Sequence, residues 1–145
     1  MQKLQRLISG QIIIEVVVGL AIAAIALLVI TQISTRSTAN AGYASRQAAA
    51  TGLASGALEK ARNIKRTKGL AAKTDPVLSA GIHCFDGAQI ADTTGDYCSI
   101  TNTIYQGRVT FTPSGKEIKM VAEIRWDEAG GIKVTIHEGL LVFEI

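Results

Sequence analysis

An apolar run that carries one carboxylate constrains this chain more than any other feature. Every residue from Ile12 to Ile30 is apolar or glycine except Glu15. At about 1.5 Å rise per residue, a helix over this run is roughly 28 Å long, close to the hydrocarbon thickness of a bilayer. The run therefore predicts a membrane-spanning helix. A charge costs about 2.5–3.5 kcal/mol near the centre of a bilayer, so we expect Glu15 to have a partner rather than to be an ordinary interfacial residue.

The run follows a short leader, residues 1–10, which contains Lys3 and Arg6 and ends in Gly10. Basic residues hold such a leader on the cytoplasmic side of a membrane. An uncleaved anchor would give neither Gly10 nor Glu15 a role.

The segment from Lys3 to Ile33 resembles the processing and assembly signal of bacterial type IV prepilins and of the pseudopilins of type II secretion. Its core is Gly10-Gln-Ile-Ile-Ile-Glu15 followed by Val16-Val-Val-Gly-Leu-Ala-Ile22. Gln11 departs from the phenylalanine that the family usually has. The resemblance implies that a prepilin peptidase cuts between Gly10 and Gln11, that the new terminus at Gln11 is N-methylated, and that Glu15 serves in assembly.

Cleavage would create an α-amine at Gln11 with a pKa near 8, which is largely cationic at neutral pH. In a filament, the Glu15 carboxylate of one subunit could pair with the Gln11 amine of its neighbour. A buried ion pair is strongly penalised when one partner is missing, so uncleaved chains should assemble poorly. The implied partners are the prepilin peptidase, other pilin or pseudopilin subunits and an assembly platform. The implied location is the bacterial inner membrane, with the C-terminal domain outside the cytoplasm, and then the filament.

The length and composition of the rest of the chain are typical of one modest domain and do not favour any class of enzyme. The formal net charge is +3, and loss of Lys3 and Arg6 would reduce 15 basic side chains to 13 against 12 acidic ones. Net charge therefore gives no reason to expect a polyanionic partner. We expect a structural, non-enzymatic protein with no cofactor and no metal.

The apolar run continues into a second, amphipathic helical stretch. Thr31 to Lys68 lacks proline, and its apolar residues recur at helical spacing at Tyr43, Ala50, Leu53, Ala57, Ala61 and Ile64. Basic residues Lys65, Arg66 and Lys68 suit a helix C-terminus, and Gly69 suits the position beyond it. We predict one helix from Gln11 to Lys68, a transmembrane and assembly part over 11–33 and an amphipathic part over 34–69.

The rest of the chain predicts loops and then strands. Residues 70–103 are rich in turn signals and predict a loop region. Over 104–145, apolar and polar residues alternate as in antiparallel strands with one buried face. The expected buried residues are Val109 and Phe111; Ile118, Met120, Ala122, Ile124 and Trp126; and Ile132, Val134 and Ile136, with a final strand from Leu140 to Ile145. The fold class is α+β, with the long helix packed on a small antiparallel sheet.

Cys84 and Cys98 lie in the part that would be exported, where oxidising conditions favour a disulfide over free buried thiols. A bridge over a loop of this size contributes roughly 3 kcal/mol in the chain-entropy model. With His83 and His137 the two cysteines lack the ligand spacing of a zinc site.

The C-terminal part is similar to that of minor pilins and minor pseudopilins. The similarity lies in Met120-Val-Ala-Glu-Ile-Arg-Trp126, a Gly-Gly loop and Ile132-Lys-Val-Thr-Ile136, together with Leu58-Glu-Lys-Ala-Arg62 in the helix. The cysteines precede the sheet, whereas major pilins often carry a cysteine loop near the C-terminus. The resemblance therefore implies a minor subunit.

Other residue groups have simpler explanations than a site. His83 and Cys84 are adjacent and lack the third group of a catalytic couple. Asp86, Asp92 and Asp96 could bind calcium, but their spacing matches no defined loop, and a solvated acidic turn is favoured. The six basic residues from Lys60 to Lys73 lack interleaved aromatics, so helix-dipole complementarity is favoured over DNA binding. Trp126 is expected in the core.

Two other functions compete with the filament subunit. Ile12–Ile30 could be the apolar part of a secretory signal that is cut after Ala39-Asn-Ala41, which would release an exported binding domain. The apolar part of such a signal normally has 7–15 residues and would not contain Glu15. Alternatively, the chain could be a single-pass anchor that is never cut. The mature N-terminus, Gln11, Gly42 or Met1, separates the three.

Overall fold

The computed structural model of the chain describes residues 2–94 and 96–143, with the side chains among them other than those of 2–11 and 92–94. The chain divides into two compact units, Met1–Ala44 and Ser45–Ile145. A long helix, α1, spans Gln2–Lys68, and six strands follow it. The predicted α+β fold, a long N-terminal helix packed on a small antiparallel sheet, is confirmed.

Helix α1 ends at Lys68, as its sequence predicts. Gly69 follows with φ +57°, a left-handed conformation that glycine adopts without strain. Short 3₁₀ helices over Gly69–Thr74 and Pro76–Leu78 then lead to the sheet. Between them, the Asp75 carboxylate accepts hydrogen bonds from the Val77 N–H at 2.9 Å and from Lys68 Nζ, which fixes the corner.

The sheet is antiparallel throughout. Its strands are β1 (Gly81–Phe85), β2 (Ile90–Thr94), β3 (Cys98–Ser99), β4 (Tyr105–Ser114), β5 (Glu117–Glu128) and β6 (Gly131–Val142). The order is β2-β1-β4-β5-β6, and β3 pairs with β4 beside the end of β1. Phe85 and Cys98 both lie opposite Gly107, where a Cβ would be 2.8 Å from the Phe85 carbonyl oxygen. Only glycine fits this crossing point.

The second half of α1 covers the sheet with a stripe of small residues. Ala50, Ala54, Ala57, Leu58 and Ala61 are buried against the sheet, as the helical spacing of most of these residues predicts. The helix passes very close to β6 at Gly139, where a Cβ would lie 2.9 Å from Met120 Cε and 3.4 Å from Leu58 Cδ1. The sheet side of the core contains Phe85, Val109, Phe111, Ile118, Met120, Ile124 and Trp126.

The predicted buried face of β6 is wrong. Ile132 is 61% and Ile136 58% exposed, whereas Thr135 is buried. The reason is the register, because a two-residue turn after Glu128 places Thr135 opposite the buried Ile124. Residues directly opposite in a sheet share a face, so the odd-numbered residues of β6 face the helix.

Two further expectations need correction. Residues 70–103, predicted as loop, contain the three short strands β1, β2 and β3, so Cys84 and Cys98 lie within the sheet and do not precede it. The expected final strand from Leu140 is the end of β6, because Gly139 continues the strand instead of turning it. Residues 144 and 145 of that prediction lie outside the described part of the chain.

Candidate functional site

The first candidate site is the apolar part of α1. From Ile12 to Ile33 every side chain is exposed, including Ile14 at 67% and Leu20 at 66%. The mean hydropathy reaches 3.0, and none of that stretch is buried within the protein. The helix is long and apolar enough to span a membrane. Its large apolar side chains lack cover within the described residues, so their favourable environment must be supplied by lipid or by other helices.

Glu15 is the one ionisable residue in this stretch, which extends from Ile12 to Ile33. Its side chain is exposed, and among the described residues it forms no hydrogen bond or ion pair. Ile12, Ile14 and Val16 beside it are more than half exposed. The carboxylate is thus available to a group from outside the chain, and in an apolar environment it would need one.

The backbone of Gly10 and Gln11 belongs to α1. The side chain of Gln11 lies outside the described part of the structure. Cleavage after Gly10 and methylation at Gln11 therefore stay predictions.

Hydroxyl side chains at the end of the apolar stretch are satisfied by the helix itself. Thr31 Oγ1 donates to the Leu28 carbonyl at 2.9 Å, and Thr35 Oγ1 donates to the Gln32 carbonyl at 3.0 Å. A hydroxyl that is already hydrogen-bonded costs little to place in an apolar environment. The apolar character of α1 therefore fades over 31–38 without a sharp boundary.

In the other unit, Cys84 and Cys98 form a disulfide with a Cα–Cα distance of 5.4 Å. The bond links β1 to β3, so it holds both short strands beside β4 at Gly107. It also means that Cys84 does not offer a thiol next to His83. The His83 ring is buried, with Nε2 2.9 Å from the Ser79 carbonyl oxygen.

A polar network that the sequence analysis missed lies next to this disulfide, on the outer face of the sheet. Glu123 Oε2 accepts hydrogen bonds from Tyr97 Oη at 2.7 Å and from Arg108 Nε at 2.6 Å. The Tyr97 ring lies between two guanidinium groups, with the Arg108 Cζ at 4.4 Å and the Arg125 Cζ at 3.9 Å from its centroid. Because Tyr97 precedes Cys98, the network fastens the disulfide-linked segment to the sheet.

Burial and hydrogen bonding shift the pKa values of the network and keep Glu123 and Arg108 ionised and Tyr97 neutral. Burial and the hydrogen bond to Glu123 raise the pKa of Tyr97, which stays a donor. Burial alone would raise the pKa of Glu123, but hydrogen bonds from Arg108 and Tyr97 lower it below its usual range. The hydrogen bond to Glu123 also raises the pKa of Arg108. Arg108 lies directly opposite Glu123 in the pairing of β4 with β5. Opposite charges at such positions predict an ion pair, but only once the register of the two strands is known.

The acidic residues considered for calcium are engaged in local contacts. Asp86 Oδ1 accepts the N–H groups of Ala88 and Gln89, each at 2.8 Å, and these two bonds lower its pKa. Asp96 lies 3.6 Å from Arg108. The side chain of Asp92 lies outside the described part of the structure.

The basic end of α1 is partly paired within the protein. Arg62 and Arg66 contact Glu59 at 3.5 and 3.2 Å, and Lys68 pairs with Asp75. Lys65 Nζ donates to the Val142 carbonyl and lies 5.3 Å from the Phe143 ring centroid. Lys65 is thus fixed beside the C-terminal end of β6. Trp126 lies in the core, and its Nε1 donates to Glu128 at 2.9 Å.

Comparison of the chain with protein-family models, curated proteins and solved structures gave no match.

Proposed function

We propose that the chain is a structural subunit of a filament of the type IV pilus or type II secretion pseudopilus class, most like a minor subunit. It is made as an inner-membrane precursor, cut by a prepilin peptidase after Gly10 and N-methylated at Gln11. The apolar part of α1 then packs with the helices of other subunits, and the unit that contains the sheet lies outside the cytoplasm.

One observation carries the proposal: Glu15 is the one carboxylate in an apolar helical stretch, and within the described part of the chain the carboxylate has no partner and the apolar side chains have no cover. A cationic α-amine at Gln11 of a neighbouring subunit would neutralise it. Such a pair gains strength in a low-dielectric environment and is costly when one member is missing. Pairing therefore makes assembly depend on correct processing and on helix register.

The second unit supports the proposal because it contains a disulfide, which is stable under the oxidising conditions outside the cytoplasm. Its disulfide joins β1 to β3, a two-residue strand that would otherwise depend on few backbone hydrogen bonds, and reducing compartments do not keep disulfides. The Tyr97–Arg108–Glu123 network also holds the segment that contains Cys98, because Tyr97 directly precedes that cysteine. We propose a structural role and no enzymatic activity.

The Ala39-Asn-Ala41 sequence favours a second candidate, an exported binding domain released by a signal peptidase. An uncleaved single-pass anchor is the third. Neither gives Glu15 a reason to be in the apolar run. In both, the chain would reach its final location without a filament.

The test is the intact mass of the mature chain, made in bacterial cells with and without a prepilin peptidase. We expect a methylated N-terminus at Gln11 only when the peptidase is present. A Gly10→Val variant should keep Met1, and a Gly19→Val variant serves as the matched control and should be cut normally. A mature terminus at Gly42, or retention of Met1 in the presence of the peptidase, contradicts the proposal.

A further inference from the structure

The free edge of the sheet is at β6. Among the residues that the structure describes, β6 pairs with β5 alone. The Phe143 N–H donates to the Lys116 carbonyl at 2.7 Å, so the peptide groups of Phe143 point toward the β4–β5 hairpin. Peptide groups alternate in direction along a strand, and those of the even-numbered residues from 132 to 140 therefore point to the open side. We call this row of donors and acceptors the β6 edge.

One margin of the β6 edge is apolar. The even-numbered residues also face away from the helix, and the apolar ones among them are 40–61% exposed: Ile132, Val134, Ile136, Leu140 and Val142. The neighbouring strand differs, because its outward residues include Lys119, Glu123 and Arg125. Glu138, which pairs with Lys119 at 3.0 Å, interrupts this row between Ile136 and Leu140. Scattered exposed apolar residues are ordinary, but a row in which five of six outward residues are apolar, beside free peptide groups, is typical of a place where another strand is added.

The other margin, on the helix side, is basic. Lys133 lies at one end of β6, and Lys65 is held at the other end by the Val142 carbonyl. Between them, Arg62 lies over Gly139, where a Cβ would be 3.6 Å from its Nη2, and Arg66 lines a cleft with Leu140 and Leu141. Glu59 pairs with Arg62 and Arg66, which leaves this margin with a net positive charge.

The opposite edge of the sheet is a poorer template. Strand β2 spans only Ile90–Thr94, and its register with β1 shifts between His83 and Cys84. Short strands and irregular pairing are common ways to protect a sheet edge. In contrast, β6 has twelve residues, and its pairing with β5 is regular from end to end.

We propose that the β6 edge binds an extended segment of another protein in which apolar and acidic residues alternate. Side chains of an added strand alternate between the two faces of the sheet. Those on the outer face would lie beside the row from Ile132 to Leu140, and those on the helix side would lie beside Lys133, Arg62 and Lys65. Backbone hydrogen bonds supply affinity in this kind of binding, and the alternating side chains supply specificity.

A second copy of this chain is a poor occupant. Full-length antiparallel pairing of two β6 strands would place Lys65 of each copy beside Lys133 of the other, on the same face of the sheet. Like charges in that arrangement are repulsive. The partner is therefore a segment with the opposite charge pattern. The inference does not depend on Glu15 or on filament assembly.

The probe is a blocked peptide of alternating valine and glutamate, added to the full chain in detergent micelles. Amide hydrogen exchange, read by NMR, should slow at Val134, Ile136 and Glu138 by about tenfold or more at saturating peptide. A matched valine–lysine peptide should bind at least about tenfold more weakly, because it repels the basic margin. A valine–glutamate peptide that is N-methylated at its valines should give no protection, because the valine N–H groups are the ones that would donate to the β6 edge.

Charge reversal on the protein sharpens the test. Lys133→Glu should weaken the valine–glutamate peptide and strengthen the valine–lysine peptide, and Lys60→Glu, on an exposed part of α1, should change neither. The proposal is overturned by equal binding of the two peptides, or by no protection of the β6 amides at millimolar peptide. Protection by phosphatidylglycerol vesicles and not by peptide would overturn it in favour of a lipid surface. Concentration-dependent dimerisation that Ile136→Lys abolishes would overturn it in favour of a second copy.

Discussion

The two parts of α1 differ in what covers them. Over 12–33 all positions are exposed and most carry large apolar side chains, with one carboxylate among them, whereas over 45–68 the buried positions are mostly alanine. Alanine lets a helix lie close to a sheet, and the close approach at Gly139 shows how little space there is. Large apolar residues without cover in the chain instead need lipid or other helices. Residue size along α1 thus distinguishes the part that packs on the sheet of the same chain from the part that needs lipid or other helices.

Glu15 gives the strongest test of this difference. Glu15→Leu should reduce the amount of the chain in purified filaments by about tenfold or more, because the partner amine would be left without a counter-charge. Stability of the unit over 45–145 should not change. The measurement is the amount of the chain in sheared filaments relative to the membrane fraction, with Ile14→Leu as the matched control. Wild-type incorporation of the leucine variant contradicts an assembly role for Glu15.

The disulfide should matter only to the second unit. Replacing Cys84 and Cys98 together by serine should lower the free energy of unfolding of that unit by roughly 3 kcal/mol in the chain-entropy model. Urea unfolding followed by the fluorescence of Trp126 measures this, and Ser99→Ala at an exposed position of β3 is the control. Filament incorporation through α1 should fall less than with Glu15→Leu. A loss below about 1 kcal/mol would show that the Tyr97 network alone holds the segment.

Alanine substitutions at two glycines test the effect of an added Cβ at a crowded position and at an open one. Gly107→Ala should cost about 1–3 kcal/mol, because its Cβ would meet the Phe85 carbonyl oxygen, which belongs to a strand and cannot move away easily. Gly52→Ala in α1 meets nothing within 4 Å and should stabilise the helix by up to about 1 kcal/mol. Thermal unfolding of both variants decides. Equal shifts in the same direction would mean that the crowding at Gly107 is absent in solution.

The sequence predicts those parts of the fold that depend on local signals. The helix end at Lys68, the alanine stripe and the alternation of β4 and β5 follow from spacing and from residue type. The face of β6 does not, because its apolar residues suggest burial while the two-residue turn after Glu128 sets the opposite register. The short strands β1 to β3 escape prediction because turn signals surround them, and their pairing with β4 is a long-range contact.

The candidate functional residues also divide into those that local sequence signals predict and those that depend on strand register. Glu15 stands out from sequence because a charge in an apolar run is rare. The Tyr97 network does not, since Arg108, Glu123 and Arg125 look like ordinary outward residues of strands. They become a network only when the register places Arg108 opposite Glu123 and the disulfide brings Tyr97 between the arginines. The β6 edge is hidden from sequence for the same reason, as its two margins are defined by the register.

The smallest expected effect concerns acid stability of the second unit. The hydrogen bond from Lys68 lowers the pKa of Asp75 below its ordinary value of 3.8, against the opposing effect of burial. The unfolded chain therefore binds more protons than the folded one near that pH, so this contribution is present above it and is lost as the pH falls through the lowered pKa. Lys68 is half exposed, which limits the contribution to about 1 kcal/mol.

Asp75→Asn should remove the charge while an oxygen remains for the Val77 N–H. We expect the variant to lose about 1 kcal/mol at neutral pH and to approach the wild type as the pH falls below about 4, because protonation then removes the same charge from the wild type. Urea unfolding across this pH range measures the difference, and Asp127→Asn at an exposed position is the control. A difference that stays constant with pH would assign the effect to the shape of the corner rather than to the ion pair with Lys68.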